Sequence, residues 1–204
     1  MRHLTDYLKE YPNCISDDLC DDMIRRFELD HRKQAGSTSG GIDEVKKSTD
    51  LVLSKYRDWN DVDTALFESL SPKIEEYLEL LSKETNFSTG EDTFDTGYQI
   101  QRTCVGEFYD WHQDFISKGI LRNRPDKPIS IDERIVTYIF YLNDNFEGGQ
   151  TQFFGDEKVA IIPTKGKLLL FPANPLYGHR GSIVTKGAKY ICTGWLYSTY
   201  FALS

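Results

Sequence analysis

Residues Arg134 to Ala173 read RIVTYIFYLNDNFEGGQTQFFGDEKVAIIPTKGKLLLFPA. The runs RIVTYIFYLN, TQFF, VAIIPT and GKLLLFPA are rich in β-branched and aromatic residues, and Asn, Asp, Gly and Pro stand between them. Short apolar runs punctuated in this way predict strands joined by tight turns. The same texture extends outward, upstream to YQIQRTCV and FYDWHQDF from Tyr98 on, and downstream to GSIVT and KYICTGWLYSTY. About eight such strands, with no strand–helix alternation and no internal repeat, predict an antiparallel sandwich or barrel.

The chain before Tyr98 predicts helices. Ser16 can cap a helix from Asp17 to about Arg32, with acids in its first turn and Leu19, Met23 and Phe27 along one face. QAGSTSGG, from Gln34 to Gly41, then predicts a loop. A second helical region starts near Asn60 and carries Leu66, Leu70, Ile74, Tyr77, Leu78 and Leu81 at spacings of three and four. Pro72 interrupts it, so the expectation is either a kink or two helices with Ser71 capping the second. No Pro/Ser-rich linker divides the 204 residues. The expectation is a single domain, with residues 1–95 as a helical N-terminal cover and residues 96–204 as a β core.

A formal charge of −8 argues against nucleic acid as partner, because phosphate binding needs clustered positive charge. MRHLTDYLKEYPN lacks the apolar core of a signal peptide, and no apolar run has the length of a membrane span. The expected setting is cytoplasmic, without membrane contact. Cys14, Cys20, Cys104 and Cys192 form no C-x-x-C pair and are expected to be reduced thiols, in a compartment that would also keep iron ferrous.

His112 and Asp114 lie two apart, so on a strand they present an imidazole and a carboxylate to one face. Alone, that pair is equally two polar residues sharing a strand. His179, in YGHRGSIV, offers a second imidazole from another strand. Two His and one carboxylate make the facial triad of non-haem Fe(II) oxygenases, although they can also hold zinc and a water. His3 and His31 sit among charges or near a terminus and are expected to be solvated. Ten residues beyond His179, Lys189 opens KYICTGWLY, where Lys189, Ile191, Thr193, Trp195 and Tyr197 share a strand face. A lysine leading an inward apolar row is costly unless an anion meets it. A cosubstrate carboxylate would give it that anion, a role the zinc reading lacks.

YDWHQD, YIFYLNDNFEGGQTQF, PTKGKLLLFPA and HRGSIVTKGAKYICTGWLY together resemble the iron- and 2-oxoglutarate-dependent oxygenase superfamily, in its prolyl 4-hydroxylase-like branch, over residues 98 to 197. NCISDDLCDDMI is similar to the helix opening upstream of that core. The resemblance implies a mainly β fold with N-terminal helices, a double-stranded β-helix (a cupin-like jelly roll) with helices packed on one sheet. It places His112, Asp114 and His179 on the iron ligands, and Lys189 on the position that pairs with the distal carboxylate of 2-oxoglutarate. Tyr141 falls where a tyrosine often supports that carboxylate, and Tyr109 and Trp195 where prolyl hydroxylases line the substrate entrance. Each of these three also reads as an ordinary core aromatic. Nine residues before His112, where the branch commonly has a tyrosine, this chain has Thr103. The cosubstrate pocket is then completed by Thr103 through water, by Tyr98 or by Tyr141.

The activity so implied is hydroxylation of an unactivated C–H, foremost of a prolyl residue in a peptide or protein, with release of succinate and CO2. Its cofactors are Fe(II), 2-oxoglutarate and O2, with ascorbate as a further implied reductant. An intact Asp114 points to hydroxylation, because halogenating relatives replace the carboxylate with a small residue. The alternatives are hydroxylation of a free amino acid or other small molecule, or a non-catalytic jelly-roll binding module. Lys118, Arg122, Arg124 and Lys127 cluster between the first ligand strand and RIVTYIF, which reads either as a lid for an anionic substrate or as a solvated loop. QAGSTSGG reads in the same way as a connector or a flap.

Overall fold

The computed structural model describes residues 3–38, 44–90, 92–118 and 129–202. Strand Ala188–Ala202 organises the larger sheet, pairing antiparallel with Ile129–Tyr141 on one side and with Gln99–Cys104 and Asp92–Asp95 on the other. The sheet continues through Leu168–Pro172 to Lys9–Tyr11 at one edge, and through Thr49–Val52 to Gln34–Ala35 at the other. The smaller sheet runs in the order Asp156–Ile161, Thr151–Phe153, His179–Gly181, Phe108–His112, Lys46–Lys47. The two sheets face each other as a jelly roll, and helices cover the outer face of the larger one.

Strand alternation sorts the larger sheet's side chains between two cores. In the strand Leu168–Pro172, Leu168 and Leu170 join the helix-side core, whereas Leu169 and Phe171 join the core between the sheets. Such a strand is buried on both faces, which is why GKLLLFPA reads as an unbroken apolar run and not as an alternating one. Helix α1, Asp17–Leu29, is capped by Ser16, whose Oγ accepts the Leu19 N–H. It ends three residues before the predicted Arg32, because the Lys33 ammonium takes the Phe27 and Glu28 carbonyls at 2.8 and 2.7 Å.

Helix α2, Asn60–Thr85, is continuous through Pro72. Of the two expectations, a break into separate helices is therefore corrected. Pro72 and Glu68 both lie on the exposed side, so the carbonyl that loses its donor can turn to water. Val62, Leu66, Leu70, Ile74, Tyr77 and Leu81 make its buried stripe, and Asn86 in the left-handed region ends it. Leu66 is fully buried in this core. Leu66→Ala should therefore cost about 2–5 kcal/mol, read as a lower urea midpoint with an unchanged slope.

Residues 1–95 are more than a helical cover, and here the expectation is corrected. Lys9–Tyr11, Gln34–Ala35, Lys46–Lys47, Thr49–Val52 and Asp92–Asp95 pair with strands of the β core. Sheet edges carry unpaired N–H and C=O groups that need partners, and these short segments supply them. Of QAGSTSGG, Gln34 and Ala35 form such a strand, and its last residues fall outside the described residues. Arg122, Arg124 and Lys127 also lie outside them, and only the backbone of Lys118 is described, opposite Asp132. No helix among the described residues is long and apolar enough to cross a membrane.

Candidate active site

Neighbouring strands of the smaller sheet bring His112 and His179 into register, with ring centroids 4.2 Å apart. Asp114 Oδ1 lies 3.8 Å from His112 Nε2, and Asp114 Oδ2 lies 3.6 Å from His179 Nε2. One ligand atom from each residue falls within 4.8 Å of the others, the only such grouping of three among the described residues. His112 Nδ1 lies 2.7 Å from the Asp110 carbonyl and His179 Nδ1 lies 3.0 Å from the Tyr177 carbonyl. A carbonyl only accepts, so both Nδ1 atoms carry the proton and both Nε2 lone pairs point at the shared centre.

Burial, then the nearby His179, pushes His112 down to about 4 in spite of the Asp114 carboxylate, leaving it a neutral ligand at physiological pH. Burial raises the Asp114 carboxyl, but His179, His112, Trp195 and Thr137 outweigh that and hold it ionised. Thr137 Oγ1 donates to Asp114 Oδ2 at 2.8 Å. The Trp195 indole N–H lies close enough to favour the carboxylate, yet it is buried without a partner in hydrogen-bond geometry. The Arg134 guanidinium stacks over the Trp195 ring at 3.7 Å and donates to the Tyr197 hydroxyl at 2.8 Å.

The cavity beside this cluster is lined by Gln101, Thr103, Ile139, Thr151, Lys189 and Ile191, among others. Lys189 is 5% exposed, and its ammonium donates to the Gly149 carbonyl at 2.6 Å. No carboxylate among the described residues pairs with it, and burial lowers its pKa to about 8. Gly148 and Gly149 have φ of +76° and +64°, and a Cβ on Gly148 would meet the Ile183 carbonyl at 2.2 Å. Those conformations suit glycine and present the Gly149 carbonyl to the lysine. A buried cation with a single neutral acceptor calls for an anion.

Most of the residues singled out in the sequence converge here: His112, Asp114, His179, Lys189, Thr103, Tyr109 and Trp195 all line the cavity. Tyr109 stacks on His112 with centroids 3.5 Å apart, and the Lys46 ammonium lies over the Tyr109 ring, 5.2 Å from its centroid, in a buried 2.6 Å ion pair with Asp50. Tyr141 lies behind the wall instead, fully buried, with its hydroxyl donating to Thr151 Oγ1 at 2.7 Å. Tyr98 faces the opposite way, against Tyr138 in the helix-side core, so it does not complete the pocket. Thr151, Thr137, Gln101 and Arg134 were not singled out. Parity could have found Thr137, two and four residues before the inward Ile139 and Tyr141.

The model of the 2OG-Fe(II) oxygenase superfamily matches residues 98–197, the segment that holds every one of the converging residues. Residues 98–197 belong to this superfamily. Beyond the superfamily, the chain is similar to prolyl hydroxylases. It is 29% identical over 117 residues to Prolyl 4-hydroxylase 1 of Arabidopsis thaliana, a match that spans 48% of this chain and 39% of that protein. A viral collagen prolyl hydroxylase from Paramecium Bursaria Chlorella virus-1, in a 2OG complex, has 20% identity and a TM-score of 0.62, covering 94% of this chain and 96% of its own. A Trichoplax adhaerens prolyl hydroxylase in complex with a hypoxia inducible factor peptide fragment has 17% identity and a TM-score of 0.67, covering 95% and 84%. At these identities the structural likeness is one of fold, the double-stranded β-helix. Members of the superfamily use Fe(II), 2-oxoglutarate and O2. The donor set of the site fits ferrous iron, with two imidazoles and one carboxylate, and Lys189, which meets no carboxylate among the described residues, fits a carboxylate.

Proposed function

We propose that this protein is an Fe(II)- and 2-oxoglutarate-dependent dioxygenase that hydroxylates an unactivated C–H of a prolyl residue in a peptide or protein. The observation that carries this reading is the buried, carboxylate-free Lys189 ammonium in the same cavity as the His112, Asp114 and His179 triad. When bound, iron(II) with 2-oxoglutarate and O2 supplies oxidative chemistry that yields succinate, CO2 and a hydroxylated product. His112, Asp114 and His179 would hold the metal from one side and leave the cavity side open. Lys189 would anchor the distal carboxylate and so fix the cosubstrate's orientation. Thr151 has its oxygen engaged by Tyr141, which leaves its own hydroxyl proton free to donate into the cavity. Ile139 and Ile191 give that end an apolar wall that excludes water. Tyr109 and Trp195 border the substrate side.

The prolyl assignment draws on the relatives, since the Arabidopsis, viral and Trichoplax proteins are each described as prolyl hydroxylases. A cytoplasmic setting draws on the four free thiols, which a reducing compartment maintains. The test incubates protein with Fe(II), 2-oxoglutarate, ascorbate and O2 and a panel of proline-containing peptides. Succinate release and a mass gain of one oxygen on proline are expected. Succinate no higher than with His112→Ala under every condition would overturn the dioxygenase reading, and oxygen gained only by free small molecules would overturn the prolyl assignment.

A further inference from the structure

Asp114 is the one member of the triad that no β-ladder holds. His112 closes the strand Phe108–His112 and pairs with His179, whereas Asp114 lies two residues further on in a segment without regular pairing. A carboxylate also has a broad terminal torsion, so its backbone alone would not aim its oxygens. The anchors come from the facing sheet. Arg134 Nη1 reaches the Asp114 backbone carbonyl at 3.3 Å, and Thr137 Oγ1 donates to Oδ2 at 2.8 Å. Thr137 is fully buried, in register between Phe171 and Trp195, so its hydroxyl issues from a part of the sheet paired on both sides.

We infer that Thr137 is a positioning residue for the metal's carboxylate ligand. Its hydroxyl pins one Asp114 oxygen, so the carboxylate is already aimed at the two Nε2 atoms before a metal arrives. This rests on the iron-dependent reading of the site and adds a residue that does not itself touch the metal. Removing such a support typically weakens metal binding by about 10–100-fold.

The test measures Mn(II) binding to the metal-free protein by titration with EPR detection of free ion, without turnover. Thr137→Val should bind roughly 10–100-fold more weakly, and Thr137→Ser, which keeps the hydroxyl, should stay close to wild type. Thr137→Ala set against Thr137→Ser separates the hydroxyl from side-chain size should the valine variant fail to fold. Equal affinity in Thr137→Ala and Thr137→Ser, whether both are strong or both weak, would overturn the inference and leave the iron-dependent reading standing. Wild-type protein that does not bind Mn(II) would overturn that reading itself.

Discussion

Lys189→Met should keep metal affinity while losing roughly 10²–10³-fold in 2-oxoglutarate affinity, the consequence of removing one partner of a buried charge pair. The side chain is long and 5% exposed, its ammonium donates to the Gly149 carbonyl and lies 5.7 Å from the Tyr141 ring centroid, and methionine fills its path without creating a cavity. Titration of 2-oxoglutarate into Mn(II)-loaded protein reads the loss, and retention of affinity within tenfold of wild type would refute the anchoring role. The ammonium's pKa of about 8 adds a pH signature. Only the protonated form attracts a dicarboxylate, so affinity should decline as pH rises above about 8.

The same lysine makes an opposite prediction for the ligand-free protein. Its pKa is about 8 in the folded state against an ordinary 10.5, so between those values the unfolded chain binds more protons than the folded one. Stability should therefore rise with pH across that window, by up to about 3 kcal/mol. Lys189→Met should abolish the rise and be the more stable protein below pH 8. Urea unfolding at pH 7.5 and 9.5, with and without the substitution, reads both effects.

Asp114→Ala should weaken Mn(II) binding by more than about a hundredfold, beyond the loss expected from a supporting residue. It removes the carboxylate of the triad and leaves two imidazoles, and it strands the Thr137 hydroxyl in a buried position. Gln113→Ala is the matched control, because Gln113 is exposed and stands between the two ligands with its side chain outside the cavity. Its affinity should equal that of wild type. If both substitutions behave alike, the triad is wrongly assigned.

How much of this was readable in the chain differs by element. The strands from Tyr98 onward carry their own turn residues and apolar runs, so their existence is local information. The strands Lys46–Lys47 and Thr49–Val52 are not readable in that way. KKSTDLV is short and polar, and it becomes strand because Phe108–His112 and Gln99–Cys104 have free edges at that point. Helix α2 shows the same limit in another form. The sequence locates Pro72, but only the solvent-facing placement of the Glu68 turn decides that the helix continues.

In the site, the sequence alone determined the chemistry of the donors. Two histidines, an aspartate and a lysine at these spacings are a property of the chain, and strand parity follows from covalent geometry. The tertiary structure decided which of their neighbours share the cavity. Tyr141 and Tyr98 were equal candidates with Thr103 for completing the pocket, yet one stands behind Thr151 and the other points into the helix-side core. Asp114 has local parity with His112 but no ladder beyond it, so its orientation depends on Thr137 and Arg134 from the facing sheet. Parity says which face a side chain takes. Which partner meets it there is set by how two sheets pack, and that depends on contacts between residues far apart in the chain.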